Sequence, residues 1–136
     1  MNRSASLFVW PLVLIAALLS CGCGSRRQLQ SVTLSPGSAD AKDFSNGQVP
    51  FTATGTFSKA PSPAQLTSQD VQWCIGSSDG ACEPAGMTYP SVDQNGAAQC
   101  GPTFVGTVIV LAGTAEPGVS DAAVFKPFGS AELTCP

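Results

Sequence analysis

Residues 49–57 carry the pattern that most constrains the fold. Apolar residues or glycine fill every second position, and threonine fills three of the positions between them. The alternating set is Val49, Phe51, Ala53, Gly55 and Phe57. Because successive side chains of a strand point to opposite faces, this period of two predicts a half-buried strand. Such a strand is typical of an antiparallel sheet with one face on a core and one face in water.

Other short segments show strand-like patterns, and turn signals separate them. We predict strands at residues 32–35, 70–75, 88–92, 97–100, 103–112 and 129–135, with brief pairing at 123–125. Segments 38–48 and 60–69 are expected to be polar loops, the second because it contains Pro61 and Pro63. Asn95 and Gly96 accept a positive φ, so residues 93–96 are predicted to form a hairpin turn.

The absence of helical periodicity fixes the expected fold class. After residue 20, no stretch shows helical spacing over eleven or more residues. Short strands with regular turn signals predict an all-β fold, an immunoglobulin-like antiparallel β-sandwich of about seven strands. The apolar run at 108–111 is expected to form a central strand covered on both faces, although the pattern alone leaves a buried helical turn open.

Four residues are predicted to form the centre of the core. Trp73 is expected at its middle, facing inward while Cys74 faces outward, so that Trp73→Ala would cost roughly 3–5 kcal/mol. The four predicted core residues are Phe51, Trp73, Val108 and Val110.

The first 20 residues resemble a lipoprotein signal peptide. Arg3 gives a positive start, residues 7–19 are apolar apart from Pro11, and Leu18-Leu19-Ser20-Cys21 resembles a bacterial lipobox. The apolar run has 13 residues, fewer than the ~20 that a membrane-spanning helix needs. We therefore expect cleavage before Cys21, leaving 116 of the 136 residues.

Cys21 is the expected site of lipidation, with acyl chains such as palmitate as the anchor. Cys23 is a weaker alternative, because no leucine stands three residues before it. The predicted organisation is a signal peptide at 1–20, a lipidated flexible tether at 21–28 with a solvated Arg26-Arg27 pair, and one domain at 29–136. The protein is then exported and held at a bacterial membrane, expected to be the outer membrane, facing the periplasm or the cell surface.

The cysteines predict disulfides, because the chain has six of them and disulfides persist outside the reducing cytosol. Four of them lie beyond the tether and allow three pairings, among which the sequence does not decide. We favour one pair early in the domain and one late. The favoured pairs are Cys74 with Cys82, and Cys100 with Cys135.

Catalysis, metal binding and nucleic-acid binding are not expected. The chain contains no histidine, so the G-x-S-x-G match at residues 76–80 lacks the base that a nucleophile elbow requires. Asp93 and Asn95 faintly resemble a calcium loop whose later glutamate ligand is missing, and zinc-type cysteine and histidine pairs are lacking. Nine acidic residues outnumber six basic ones, so a phosphate-binding surface is not expected. We predict no enzyme activity, no cofactor and no metal.

Residues 29–135 resemble the group 2 bacterial immunoglobulin-like domains of invasin and intimin-type surface proteins. The segments that carry the resemblance are residues 32–36, 49–57, 71–73, 91–96 and 106–110. It implies a non-catalytic extracytoplasmic module that acts as a spacer, scaffold or adhesive surface. Two departures are that such modules usually stand in tandem, whereas this chain has one copy, and that they generally contain few cysteines.

The expected partner, apart from the membrane, is an unidentified envelope protein or glycan. A carbohydrate-binding module is the alternative function, and it requires exposed aromatic side chains with polar neighbours. With Trp73 assigned to the core, the candidates are Tyr89, Phe104, Phe125 and Phe128, although core or edge packing is the expected fate of each.

Overall fold

Strands dominate the structure, a computed structural model that describes residues 26–83, 90–115 and 124–136. Two short 3-10 turns, Ala41–Asp43 and Ser45–Gly47, connect the second and third strands. The strands are β1 Leu29–Ser35, β2 Ser38–Asp40, β3 Gln48–Pro50, β4 Thr52–Phe57, β5 Ala64–Gln65, β6 Gln72–Gly76, β7 Ser91–Val92, β8 Ala97–Gln99, β9 Gly106–Ala115 and β10 Phe125–Cys135. The all-β prediction is confirmed. No helix among the described residues is long and apolar enough to cross a membrane.

The strand order is that of an immunoglobulin-like sandwich. The three hydrogen-bonded sheets are β1-β4-β5, β3-β8-β7 and β2-β10-β9-β6. Because only Phe51 separates β3 from β4, the first two sheets run on into one layer with the order β1, β3/β4, β8, β7. The strands β10, β9 and β6 form the opposite layer. Apart from the short strands β2 and β5, which pair with β10 and β4, these seven positions match the two layers, four strands and three, of a constant-type immunoglobulin domain.

The second strand departs from the predicted antiparallel pattern. Residues 38–48 were expected to form a polar loop, but β2 leaves the first layer and pairs in parallel with β10, with Ser38 opposite Glu132. The parallel bonding joins backbone groups at the edge of the sheet, so a strand forms there without the apolar alternation that would reveal it.

The predicted strand at 49–57 has the expected faces but is divided. Val49, Phe51 and Ala53 are buried, and the intervening threonines are exposed, as the alternation predicts. At Phe51 the pairing changes from β8 to β1, and the Phe51 N–H donates to the Gly96 carbonyl at 2.9 Å. The segment is divided into β3 and β4 because its first part pairs with β8 and its second part pairs with β1.

β9 is a strand covered on both faces, which excludes a helical turn at 108–111. Val110 and Ala112 belong to the main core between the layers. Leu111 belongs to a second, smaller cluster on the outer face, with Cys82 and Phe125. The outer cluster explains why the apolar run of this strand is continuous rather than alternating.

Three predicted boundaries were wrong. The proline-containing segment 60–69 includes β5, which pairs with Thr54 and Gly55. The last strand was expected to begin at residue 129, but β10 begins at Phe125. It accommodates Pro127 at the irregularity where its register with β9 shifts. The strand predicted at 103–112 begins at Gly106 and ends at Ala115. Of the strand predicted at 88–92, Ser91–Val92 is present, and residues 88–89 lie outside the described residues.

Trp73 is not the centre of the core. Phe51 and Val110 are fully buried as predicted, but Trp73 and Val108 are only partly buried and pack against the margin of the main cluster. Among residues 26–83, 90–115 and 124–136, the largest fully buried side chains are Phe51, Phe125, Leu111 and Leu133. Cys74 does face away from the main core, yet it packs against the outer cluster rather than facing water.

The tether is docked at its end nearest the domain. The Arg27 guanidinium lies 3.4 Å from the ring centroid of Phe57 and donates to the carbonyls of Lys59 and Pro61. The backbone of Gln28 accepts a 2.9 Å bond from the Ser58 N–H. Arg27 is exposed, as expected of a solvated pair, but these contacts hold its side chain against the domain. Cys21, Cys23 and the lipobox lie outside the described residues.

Candidate functional site

A cleft opens on the flank of the sandwich, where the loop after β5 faces the turn between β7 and β8. Its volume is about 260 Å³. Trp73 lines it together with uncharged polar side chains and a few apolar ones. The lining residues are Phe51, Thr52, Ala53, Gln65, Leu66, Thr67, Ser68, Trp73, Gln94 and Asn95.

Trp73 reaches this cleft because of the register of β6. β6 pairs antiparallel with β9, which places Trp73 opposite Ala112. Its ring edge lies against Gly96, where a Cβ would be 2.7 Å from Cζ2 of the indole and closer still to the Phe51 carbonyl oxygen. Gly96 also has a φ of +83°, a conformation that glycine adopts without strain. The turn therefore packs directly on the indole.

The turn that forms one wall is held by Asp93. Its carboxylate accepts bonds from the backbone N–H groups of Asn95 at 2.8 Å and Ala97 at 2.9 Å. The Gly96 N–H donates to the Asp93 carbonyl at 3.1 Å. These bonds satisfy the backbone of the turn internally, and the side chains of Gln94 and Asn95 are exposed at its tip.

The opposite wall is held by Thr67 and Asp70. The N–H and the hydroxyl of Thr67 each donate to one Asp70 oxygen at 2.8 Å. The backbone N–H bond, followed by the hydroxyl bond, lowers the pKa of the Asp70 carboxyl below its usual value. The Leu66 N–H donates to the Ala53 carbonyl at 2.8 Å, which fastens this loop to β4.

The chemistry of the cleft is that of a neutral recognition site. Its described lining combines one indole with three side-chain amides and three short hydroxyl groups, and it contains no charged side chain. No cluster of residues suited to hold a metal ion occurs in the described part of the chain. What the arrangement offers is apolar contact together with both hydrogen-bond donors and acceptors.

The two disulfides brace the domain at separate places. Cys74 joins Cys82, and Cys100 joins Cys135, each with 5.7 Å between Cα atoms. These are the pairs that the sequence analysis favours. The first closes over the outer cluster beside Leu111. The second links the end of β8 in one layer to the end of β10 in the other.

Of the aromatic candidates for sugar binding, Phe104 and Phe128 are partly exposed, as Trp73 is. Phe125 is fully buried, which agrees with the expected core or edge packing and removes it as a candidate: it fills the outer cluster, against which Phe128 also packs. Phe104 is partly buried against the main core. Tyr89 lies outside the described residues. The polar cleft is lined by Trp73, which the sequence analysis assigned to the core interior, together with the buried Phe51.

The G-x-S-x-G segment is a loop, as predicted. The Ser77 hydroxyl donates to Asp79, and this bond lowers the pKa of the Asp79 carboxyl. The Gly80 N–H closes the turn on the Ser77 carbonyl at 3.0 Å. Gly80 has a φ of +87° and lies against the Phe128 ring, so the loop serves to cover the outer cluster.

Two larger cavities have linings less suited to the recognition of a polar, uncharged ligand. One of about 530 Å³ is mainly apolar, with Ile75, Phe104 and Val108 among its residues, and it adjoins segment 84–89, which lies outside the described residues. The other, of about 520 Å³, lies beside Cys100 and Lys42. The ammonium of Lys42 is occupied by an ion pair with Asp40 at 2.6 Å, and its hydrogen bond lowers the pKa of the Asp40 carboxyl.

Comparison with known proteins leaves the family open. No family model matches the chain, and no curated protein or solved structure matches it either. Membership of the group 2 bacterial immunoglobulin-like domains therefore stays a prediction.

Proposed function

We propose that the protein is a bacterial lipoprotein whose single immunoglobulin-like domain is a non-catalytic binding module of the cell envelope. The observation that carries the proposal is the pairing of all four domain cysteines in two disulfides. Such bonds persist in the periplasm and at the cell surface and are rare in the cytosol. The sequence at residues 1–21 supports the same compartment, with Cys21 as the lipid-bearing residue.

The docked tether supports a domain that is held close to the bilayer. Arg27 and Gln28 are fixed to the segment after β4. Between Cys21 and Arg27 only residues 22–26 remain as a spacer, which at full extension spans about 20 Å. A domain on so short a spacer lies near its own membrane, so the proposal favours binding or scaffolding close to the bilayer.

The proposal is non-catalytic because of the side chains available. The sequence has no histidine, and the described cleft offers amides, hydroxyls and an indole rather than an acid, a base or a nucleophile with its partner. Neutral amides and an aromatic ring recognise ligands without changing them.

Carbohydrate binding is the second candidate for the binding role, and one observation favours it. Trp73 is partly exposed in a cleft with Gln65, Gln94 and Asn95. An envelope protein remains the alternative partner, and the group 2 bacterial immunoglobulin-like domain remains the proposed family.

Cell fractionation of two cysteine variants tests the anchor. Cys21→Ser should move the folded domain, with both disulfides intact, from the membrane to the soluble extracytoplasmic fraction. Cys23→Ser is the matched control and should stay with the membrane. Membrane retention of Cys21→Ser together with release of Cys23→Ser would transfer the anchor to Cys23, and retention of both variants would contradict lipid anchoring.

A further inference from the structure

We propose that the cleft beside Trp73 binds a single sugar ring of an uncharged glycan. The inference rests on the binding role proposed above and names the ligand class and the residues that recognise it. It does not depend on the lipid.

The lining of the cleft matches the two kinds of surface that a sugar presents. A pyranose ring has an apolar C–H face, which packs on an aromatic ring, and a rim of hydroxyl groups that donate and accept hydrogen bonds. Trp73 supplies the aromatic surface. Gln65, Gln94 and Asn95 each supply an N–H₂ donor and a carbonyl acceptor in one side chain, so they can pair with a hydroxyl in either direction.

The polar side chains of the cleft are available to a ligand. Gln65, Ser68, Gln94 and Asn95 are exposed, and none of these four side chains is held by a hydrogen bond to another described residue. The carboxylates nearest to them are occupied, because Asp93 accepts from its own turn and Asp70 accepts from Thr67. The hydrogen-bonding capacity of the cleft is therefore neutral.

The charge of the lining selects the class of sugar. A sialic acid, a uronic acid or a sugar phosphate carries an anion that needs a cationic or densely N–H-lined site to offset its desolvation. No lysine or arginine is among the described residues of the lining. Neutral hexoses and N-acetylhexosamines carry no such cost, so they are the ligands that the cleft fits.

Both walls are fixed before any ligand arrives. Asp93 closes one turn with two backbone bonds, and Thr67 and Asp70 close the other. Gly96 seats the first turn against the indole at a separation that admits no side chain. A site that is already ordered loses little conformational entropy when it binds.

The size of the cleft limits the ligand and the affinity. A volume of about 260 Å³ lies just below the ~300 Å³ at which pockets for drug-sized molecules begin. One ring with a few hydrogen bonds is expected to give a Kd on the order of 1 mM. Several domains anchored in one membrane and facing one polysaccharide would gain avidity, because each further contact forms at high effective concentration.

Fluorescence titration of the full chain tests the inference. The chain has two tryptophans, and Trp10 lies in the predicted signal peptide, so Trp73 is the sole reporter once that peptide is removed; Trp10→Phe is needed only where the peptide is retained. The probes are glucose, galactose, mannose, N-acetylglucosamine and N-acetylgalactosamine, with glucuronic acid and N-acetylneuraminic acid as charged comparisons. We expect a saturable change in Trp73 emission with at least one neutral sugar and none with the charged sugars.

Variants of exposed amide side chains distinguish binding in the cleft from binding elsewhere on the domain. Gln94→Ala and Asn95→Ala should each weaken binding about fivefold, the loss expected for about one hydrogen bond. Gln72→Ala removes an exposed amide next to Trp73 in sequence but outside the lining, and it should leave the affinity unchanged. Each variant is compared only after its melting temperature shows that it is folded.

Three outcomes would overturn the inference: no saturable response to any neutral sugar, equal binding of the charged sugars, or unchanged affinity in Gln94→Ala and Asn95→Ala. Because these titrations do not require the lipid, their failure is distinguishable from failure of the anchor. If Cys21→Ser releases the protein from the membrane and the protein binds no sugar, the lipoprotein proposal stands and the sugar-binding inference is wrong.

Discussion

The backbone of Gly96 lies directly against the indole of Trp73, with 2.7 Å between the place of a Cβ and Cζ2 of the ring. This contact joins the β7–β8 turn to β6 and sets one wall of the cleft. Gly96 and Trp73 are 23 positions apart in the sequence, and they pack so closely that there is no room for a methyl group between them.

Gly96→Ala should therefore destabilise the domain more than a glycine substitution at another turn. It adds a strained positive φ and a clash with the indole, together costing about 2–4 kcal/mol. Gly47 is the matched control, because it has a φ of +65° with nothing within 4 Å of its Cβ position, so Gly47→Ala should cost only about 1 kcal/mol. Chemical denaturation measures both. Equal losses would mean that the turn does not rest on Trp73.

The burial of Phe51 and Trp73 predicts unequal truncation costs. Phe51 is 1% exposed and lies in the main core, so Phe51→Ala should cost roughly 3–5 kcal/mol. Trp73 is only partly buried, and Trp73→Ala should cost less than Phe51→Ala despite the larger side chain. Urea unfolding of the two variants tests the order, and a greater loss for Trp73→Ala would restore Trp73 to the centre of the core.

How much the sequence predicted can be judged from these residues. The alternation at Val49, Phe51 and Ala53 predicted their burial, because burial in a strand depends on local period. The exposure of Trp73 depends on which turn lies beside β6, and no local pattern contains that information. The two amides at the predicted turn, Gln94 and Asn95, were a sequence sign of a candidate binding site. Their distance from Trp73, however, depends on the register of the sheets.

The topology shows the same division. The continuous apolar run in β9 predicted a strand covered on both faces, and Val110 and Leu111 indeed face different clusters. The parallel pairing of β2 with β10 was missed, because backbone bonds at a sheet edge leave no side-chain pattern. Core or edge packing was expected for Phe125, but the sequence pattern did not indicate that it would lie in a second, outer cluster.

The two disulfides should contribute unequally to stability. The chain-entropy model gives roughly 3.8 kcal/mol for the Cys100–Cys135 loop and about 2.6 kcal/mol for the shorter Cys74–Cys82 loop. The double variants Cys100→Ala/Cys135→Ala and Cys74→Ala/Cys82→Ala, each compared with the parent by denaturation, should follow that order. Non-reducing peptide mapping verifies the pairs, and a fragment that links Cys82 to Cys100 would contradict the structure.

Acid should release the loop that Asp70 holds. Hydrogen bonds from Thr67 lower the pKa of the folded Asp70 carboxyl below its unfolded value near 3.8. Its contribution is then fully present above that value and is lost as the pH falls through the lower, folded pKa. Because the group is exposed, the effect should be less than about 1 kcal/mol. Thermal melts between about pH 5 and pH 2 should show a shallower acid dependence in Asp70→Asn, and an unchanged slope would remove Asp70 from this role.

The central claim is that the domain is displayed from a lipid on Cys21, and intact-mass spectrometry of the membrane-extracted protein tests it most directly. The account predicts a chain that begins at Cys21, with a mass increased by covalently attached acyl groups and reduced by four hydrogens for the two disulfides. A chain that begins at any other residue, or one that begins at Cys21 without added lipid mass, would contradict it.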